Sequence, residues 1–227
     1  MKKKKLVVLS GAGISAESGI KTFRDSDGLW ENHSIEEVAT PQGFAANPDL
    51  VLEFYNQRRR QLMTCKPNAA HIALADAEED LDVHIITQNV DNLHERAGSS
   101  KVLHLHGQLD WVCSSKDKGK SRQHWTTDLV LGDTDENGVQ LRPDIVWFGE
   151  DVPAMSQAIP LVSEADYILI VGTSMQVYPA AGLVDYARPN TEVYYVDRNP
   201  ATTDSYVHVI KQKATAGVPH ALRQMIE

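Results

Sequence analysis

Cysteine is nearly missing from this chain. Cys65 and Cys113 are its only two, which excludes a disulfide framework and suits a reducing compartment. Also missing is any apolar run near the roughly 18 residues that a membrane-spanning helix needs. The basic residues at 2–5 precede only four apolar ones before Ser10 and Gly11, too few for the apolar core of a secretion signal, so a cytoplasmic protein with no membrane partner is expected. Positive charge is in deficit: 22 Lys and Arg stand against 31 Asp and Glu, a formal charge of −9. A general affinity for nucleic acid is therefore not expected. No internal repeat is found.

What is present is ordinary for a folded protein. Of 227 residues, 42% are hydrophobic and 23% charged, which argues against disorder over most of the length. Short apolar runs at 6–9, 84–87, 102–105, 167–171 and 193–196, with helical patterns between them, have the rhythm of a parallel sheet. The class is α/β with helices on both faces. Asn68 suits the N-cap of a helix over 69–77, Gly98 closes one over 92–97, and Pro179 sits at the first turn of one over 180–187. A helix over 49–64 places Leu50, Val51, Phe54 and Leu62 near one face. On that helix Tyr55 and Arg58 are neighbours three apart; alone they read as an exposed aromatic beside one arginine of the run 58–60. The polar stretch 114–137 breaks the rhythm, so 110–141 reads as an inserted module, with a second excursion over 25–64.

Candidate chemistry gathers at the ends of the runs. The first feeds into Gly11-Ala12-Gly13-Ile14-Ser15 and Ser18-Gly19, a strand, glycine turn and helix start that favour a pyrophosphate, although such turns also serve simply as tight strand exits. The run 84–87 ends at Gln88-Asn89-Val90-Asp91, and the next at His106-Gly107, where α/β sheets hold their ligands. An imidazole there takes a proton near neutral pH, and an amide and a carboxylate orient hydroxyls. Spacing alone does not separate His106 from His84, His94 and His104, and Asn89 and Asp91 also suit turn and capping roles. Gly172-Thr173-Ser174 and Asp197-Arg198-Asn199-Pro200 fit a ribose or phosphate, or plain turn chemistry. Hydride-transfer folds expect an acid about 20 residues beyond the glycines, after a second strand. Glu31 has the distance but no strand leads to it.

Taken together, the segments Gly11–Ser15, Ser18–Ile20, Phe23-Arg24, Thr87–Asp91, Leu93-His94, His106-Gly107, Pro143–Glu150, Gly172–Ser174 and Val196–Pro200 resemble the sirtuins, NAD-dependent protein lysine deacylases. The resemblance implies a Rossmann-like domain over 1–24, 65–109 and 142–227. It also implies a small domain from the helical excursion 25–64 and a degenerate zinc-module-like insertion over 110–141. NAD and the acylated lysine of a protein or peptide would meet in the cleft between them. The acyl oxygen would attack the ribose carbon bearing nicotinamide, giving nicotinamide, free lysine and O-acyl-ADP-ribose. His106 matches the general base. Gln88, Asn89 and Asp91 match residues holding the nicotinamide and its ribose. Gly11, Ala12, Gly13, Ile14 and Ser15, with Phe23 and Arg24, match the phosphate loop and its lid, and Gly172, Thr173, Ser174, Asn199 and Ala214 match the adenosine side.

On the substrate side, Val146, Phe148, Gly149 and Glu150, and across from them Val177, match the two edges that take the peptide as an added strand. Tyr55 and Arg58 match the Tyr-x-x-Arg pair of sirtuins that accept succinyl, malonyl or glutaryl lysine, and Ala39 matches the small residue at the pocket floor. An acidic acyl group is thus expected to be favoured, with acetyl second. The chain departs from the family at zinc. Members commonly carry two Cys-x-x-Cys pairs, whereas here Cys113, even with His124, leaves the ligand count short, so no structural zinc is expected. Two other functions fit the same pocket: an NAD glycohydrolase or mono-ADP-ribosyltransferase, and an inactive NAD-binding sensor.

Overall fold

The computed structural model describes residues 2–20, 33–119, 121–200 and 205–227. Phe23 and Arg24 lie outside the described residues. The apolar runs become strands β1 (Lys5–Ser10), β2 (Asp82–Thr87), β3 (Val102–His104), β7 (Tyr167–Val171) and β8 (Glu192–Val196). A further strand, β9 (Val207–Ile210), completes a six-stranded sheet in the order β3-β2-β1-β7-β8-β9, parallel throughout. Strands buried on both faces need side chains that are apolar in succession, and every residue of β7 is buried. Ser10 lies opposite both Thr87 and Val171, Thr87 opposite His104, and Val171 opposite Val196. The carboxyl ends are therefore level, and the loops after β1, β2, β3, β7 and β8 open on one rim.

Helices cover both sides of this sheet. On one, α4 (Ala69–Asp76) and α7 (Ala214–Ile226) bury Leu74, Val218 and Leu222 against Val8, Leu169 and Val196. On the other, α6 (Met155–Ser163) and a 3-10 stretch, Ala180–Tyr186, bury Ala158, Val162 and Leu183 against Val7, Ile168 and Tyr195. That stretch was expected to be α-helical. The caps at α4 and α5 (Leu93–Ala97) are as expected: the Asn68 side chain accepts from Ala70 N–H at 2.9 Å, and Gly98 closes α5 at φ +107°.

The smaller part joins α1 (Ile35–Val38), α2 (Pro41–Ala46) and α3 (Pro48–Thr64) to an antiparallel sheet in the order β5-β4-β6. Its strands are β4 (Gly107–Ser114), β5 (Gln123–His124) and β6 (Leu141–Ile145). Ser34, Thr40 and Asn47 cap the three helices through their side chains. The core here holds Phe54, Tyr55, Leu62, Leu109, Ile145 and Trp147. Tyr55 is fully buried, so the reading of an exposed aromatic is wrong: α3 is enclosed on that side by Trp147 and Phe44. Arg59 is buried too. It donates to the Leu109 carbonyl at 3.0 Å and to Asn56 at 2.7 Å, and Asn56 exchanges hydrogen bonds with Leu129, which ties α3 to the insertion. Cys113 is buried in the insertion, its thiol pushed up to about 12 by desolvation, and His124 lies 3.4 Å from Asp110. Among the described residues no three His, Cys, Asp or Glu side chains are grouped to hold a metal, and no helix is long and apolar enough to cross a membrane.

Candidate active site

The level rim of the large sheet faces the small part across a cleft of about 850 Å³, within the range of sites that enclose an organic ligand. Its floor is made by two turns packed backbone to backbone. Gly11 N–H donates to Val171 and Gly13 N–H to Gly172, at 3.0 and 2.8 Å. A side chain on Gly13 would place its Cβ 2.6 Å from the Gly172 Cα, and Gly172 has φ +62°, a conformation natural to glycine. Gly11, Ala12 and Gly13 line the cleft beside Gly172, Thr173 and Ser174. Ile14 and Ser15 do not line it; both are fully buried behind the turn.

The loop after β2 supplies the central polar groups. Gln88 donates to the Thr173 hydroxyl at 3.1 Å, bridging two rim loops. Asn89 donates from its amide to the Gly11 carbonyl at 3.2 Å and the Ser15 hydroxyl at 3.3 Å. The Asp91 carboxylate accepts from Leu93 N–H at 3.1 Å and Ser15 O–H at 3.0 Å. Burial raises the pKa of Asp91, and these two bonds oppose that rise. His106 enters from beyond β3. Its Nδ1–H donates to the Gln88 carbonyl at 3.1 Å, which leaves Nε2 with the lone pair. Burial lowers its pKa, so the ring is a neutral acceptor at neutral pH. On the far side, Asn199 and Ala214 line the cleft. Asn199 N–H donates to Asp197 at 2.7 Å, and Glu17 accepts from the Thr215 hydroxyl at 2.9 Å at the start of α7.

At the small-domain end Ala39, Tyr55 and Arg58 line the same cleft. The Tyr55 oxygen accepts from the Trp147 indole N–H at 2.9 Å. Arg58 donates to the Phe54 carbonyl at 2.7 Å, with its guanidinium 3.2 Å from the centre of the Phe54 ring. Val146, Phe148, Gly149 and Glu150 form one lip of the mouth and Val177 the other. The first lip is pinned inward by Val146 N–H donating to His106 and Phe148 N–H to Ala39, both at 2.9 Å. Glu17, Gln61 and Lys213, also on the cleft wall, escaped sequence reasoning. Trp147 lies within the segment 143–150 matched to the substrate edge, but its contact with Tyr55 spans 92 residues and has no local signal.

The SIR2 family model, described as "Sir2 family", matches residues 11–179, from the first glycine turn to the second lip. The chain belongs to the Sir2 family. A Helicobacter pylori relative, named NAD-dependent protein deacylase, is 55% identical over 98% of this chain and 96% of its own. One from Bacteroides thetaiotaomicron, with the same name, is 50% identical over 98% of each. A solved Sir2 homologue in complex with ADP-ribose is 37% identical, with a TM-score of 0.88, and covers 97% of this chain and 91% of its own. A Sir2 structure with a p53 peptide and NAD+ is 29% identical, with a TM-score of 0.81 over 98% and 94%. In this Sir2-family enzyme the turns at Gly11 and Gly172 thus belong to a fold whose relatives bear the deacylase name.

Proposed function

We propose that this enzyme uses NAD as co-substrate to remove acyl groups from lysines of proteins or peptides, taking succinyl and malonyl groups in preference to acetyl. The observation that carries the reading is that Tyr55 and Arg58 line the cleft that also holds His106, Asn89 and Asp91. A phenol and a guanidinium suit a carboxylate, which acetyl lacks. The chemistry of the donor set also suits NAD. The turns at Gly11, Gly13 and Gly172 line the cleft where a pyrophosphate would lie against backbone, and Asn89 and Asp91 offer an amide and a carboxylate to ribose hydroxyls. NAD supplies the electrophilic ribose carbon and carries the acyl group away.

The protein's own work is to place and to move protons. His106 Nε2 takes a ribose hydroxyl proton, and the Gln88 carbonyl holds the tautomer this requires. Asp91, kept by Ser15 and Leu93, orients the same sugar. The lips at 146–150 and Val177 hold the peptide backbone, so selectivity falls to the acyl pocket. Incubation with NAD and matched acetyl-, succinyl- and malonyl-lysine peptides, following peptide mass and nicotinamide together, tests this. Arg58→Met is expected to lower desuccinylation by roughly one to two orders of magnitude and to spare deacetylation. Equal losses on both peptides would defeat the acyl preference, and nicotinamide release indifferent to peptide would favour a glycohydrolase.

A further inference from the structure

Two histidines at the end of β3 are joined to successive carbonyls of the loop that leaves β2. His104 lies opposite Thr87, the last residue of β2, so its ring stands beside the start of that loop. While His106 donates to Gln88, His104 Nδ1–H donates to the Asn89 carbonyl at 2.9 Å. On its other side, His104 Nε2 lies 2.7 Å from a Glu95 carboxylate oxygen on α5. Both ring nitrogens therefore face oxygens that can only accept, and only the imidazolium satisfies both. The His104 side chain is 7% exposed and does not line the cleft.

We propose that His104, braced as an imidazolium between Glu95 and the Asn89 carbonyl, is a positioning residue that fixes the loop presenting Asn89 and Asp91 to the ribose site. The groups facing the ring are Glu95 and His94 from α5 and Asp91 from the loop. Burial disfavours the charged ring, but the bonds and charges of Glu95, Asn89 and Asp91 outweigh it and raise its pKa, whereas His94 is held neutral by burial. Above that raised value the ring donates from one nitrogen only, the other acceptor meets a lone pair, and the loop loosens. Activity then carries an alkaline limb set by His104, distinct from the acid limb set by His106.

The proposal rests on the deacylase reading for its turnover assay, and NAD calorimetry tests it without turnover. His104→Leu is expected to lower kcat and NAD affinity on the order of tenfold, with KM for peptide unchanged. His104→Asn, whose amide keeps a donor toward Asn89 but does not titrate, is expected to recover most of that loss at pH 7 and to erase the alkaline limb. Glu95→Gln, at a half-exposed surface position that keeps the fold, is expected to move the limb to lower pH. Unchanged NAD affinity in His104→Leu, a His104→Asn variant as impaired as His104→Leu, or an unmoved limb in Glu95→Gln would each overturn it. No turnover by the unaltered enzyme on any acyl peptide would defeat the deacylase reading instead, leaving the calorimetric comparison across pH to decide the role of His104.

Discussion

Ser15 shows how much of the site is decided by side chains that never reach the cleft. Asn68 N–H donates to His71 Nδ1 at 3.3 Å, so His71 carries its proton on Nε2, 3.5 Å from the Ser15 hydroxyl, which in turn donates to Asp91. His94 stacks edge-on to His71 at 4.9 Å and bonds Ser10 at 3.1 Å. Burial drives both imidazoles toward neutrality, His71 down to about 4 and His94 well below its ordinary value. The unfolded chain takes up the His71 proton near 6.5 and the folded one resists until about 4, so the unfolded state binds more protons in that window. Stability is therefore present above pH 6.5 and drains as pH falls toward 4, by on the order of 3 kcal/mol for His71. Urea midpoints measured across that range are expected to show the slope in the unaltered enzyme and a flatter one in His71→Gln. Identical slopes would mean that His71 is already charged in the fold.

At the scale of elements, the contact between the turns after β1 and β7 sets the floor of the cleft. A Cβ on Gly172 would lie 2.3 Å from the Ile14 nitrogen, in a backbone conformation of φ +62°. Gly172→Ala is thus expected to lower stability by about 1–3 kcal/mol and to weaken NAD more than peptide. A thermal melt and NAD calorimetry read the two effects, and unaltered NAD binding would show that the turns yield without disturbing the floor. These turns were legible in the sequence because buried parallel strands must be apolar throughout, and the glycines stand at their ends. Other elements were hidden for physical reasons. β9 is a short edge strand, with His208 exposed between half-buried valines, and shows no continuous run. α6 and α7 contain Pro160 and Pro219 and begin without a side-chain cap, so neither announces a helix. β6 carries a buried Arg142 and Pro143, residues that read as a loop. In the site, the residue types at the rim could be read from strand ends, whereas the bonds from Trp147 to Tyr55 and from His104 to Asn89 depend on the fold.

Across the whole molecule, the insertion is wired to the lip of the cleft by charge. Lys118 donates to the Ile145 carbonyl and to Glu150, both at 2.9 Å. Arg142 reaches Glu150 at 2.7 Å and Ile145 at 2.8 Å, with its guanidinium 3.3 Å from the Trp147 ring centre. Trp147 N–H donates to the same carboxylate at 2.7 Å. Burial alone would raise the pKa of Glu150, but bonds from Arg142, Trp147 and Lys118 overcome it and bring the group to about 2. Its folded value is thus depressed, so its contribution is complete above pH 4.5 and is lost as pH falls toward 2, on the order of 3 kcal/mol in all. Glu150→Gln is expected to be less stable at neutral pH, with the difference from the unaltered enzyme closing between pH 4.5 and 2, and to raise KM for peptide because the lip loses its brace. Since Cys113 and His124 leave an insertion short of ligands, a chelator is expected to leave the melting temperature where it stands. A chelator-sensitive melt, or a Glu150→Gln variant as stable as the parent at pH 7, would show that something other than this ion network holds the small domain to the cleft.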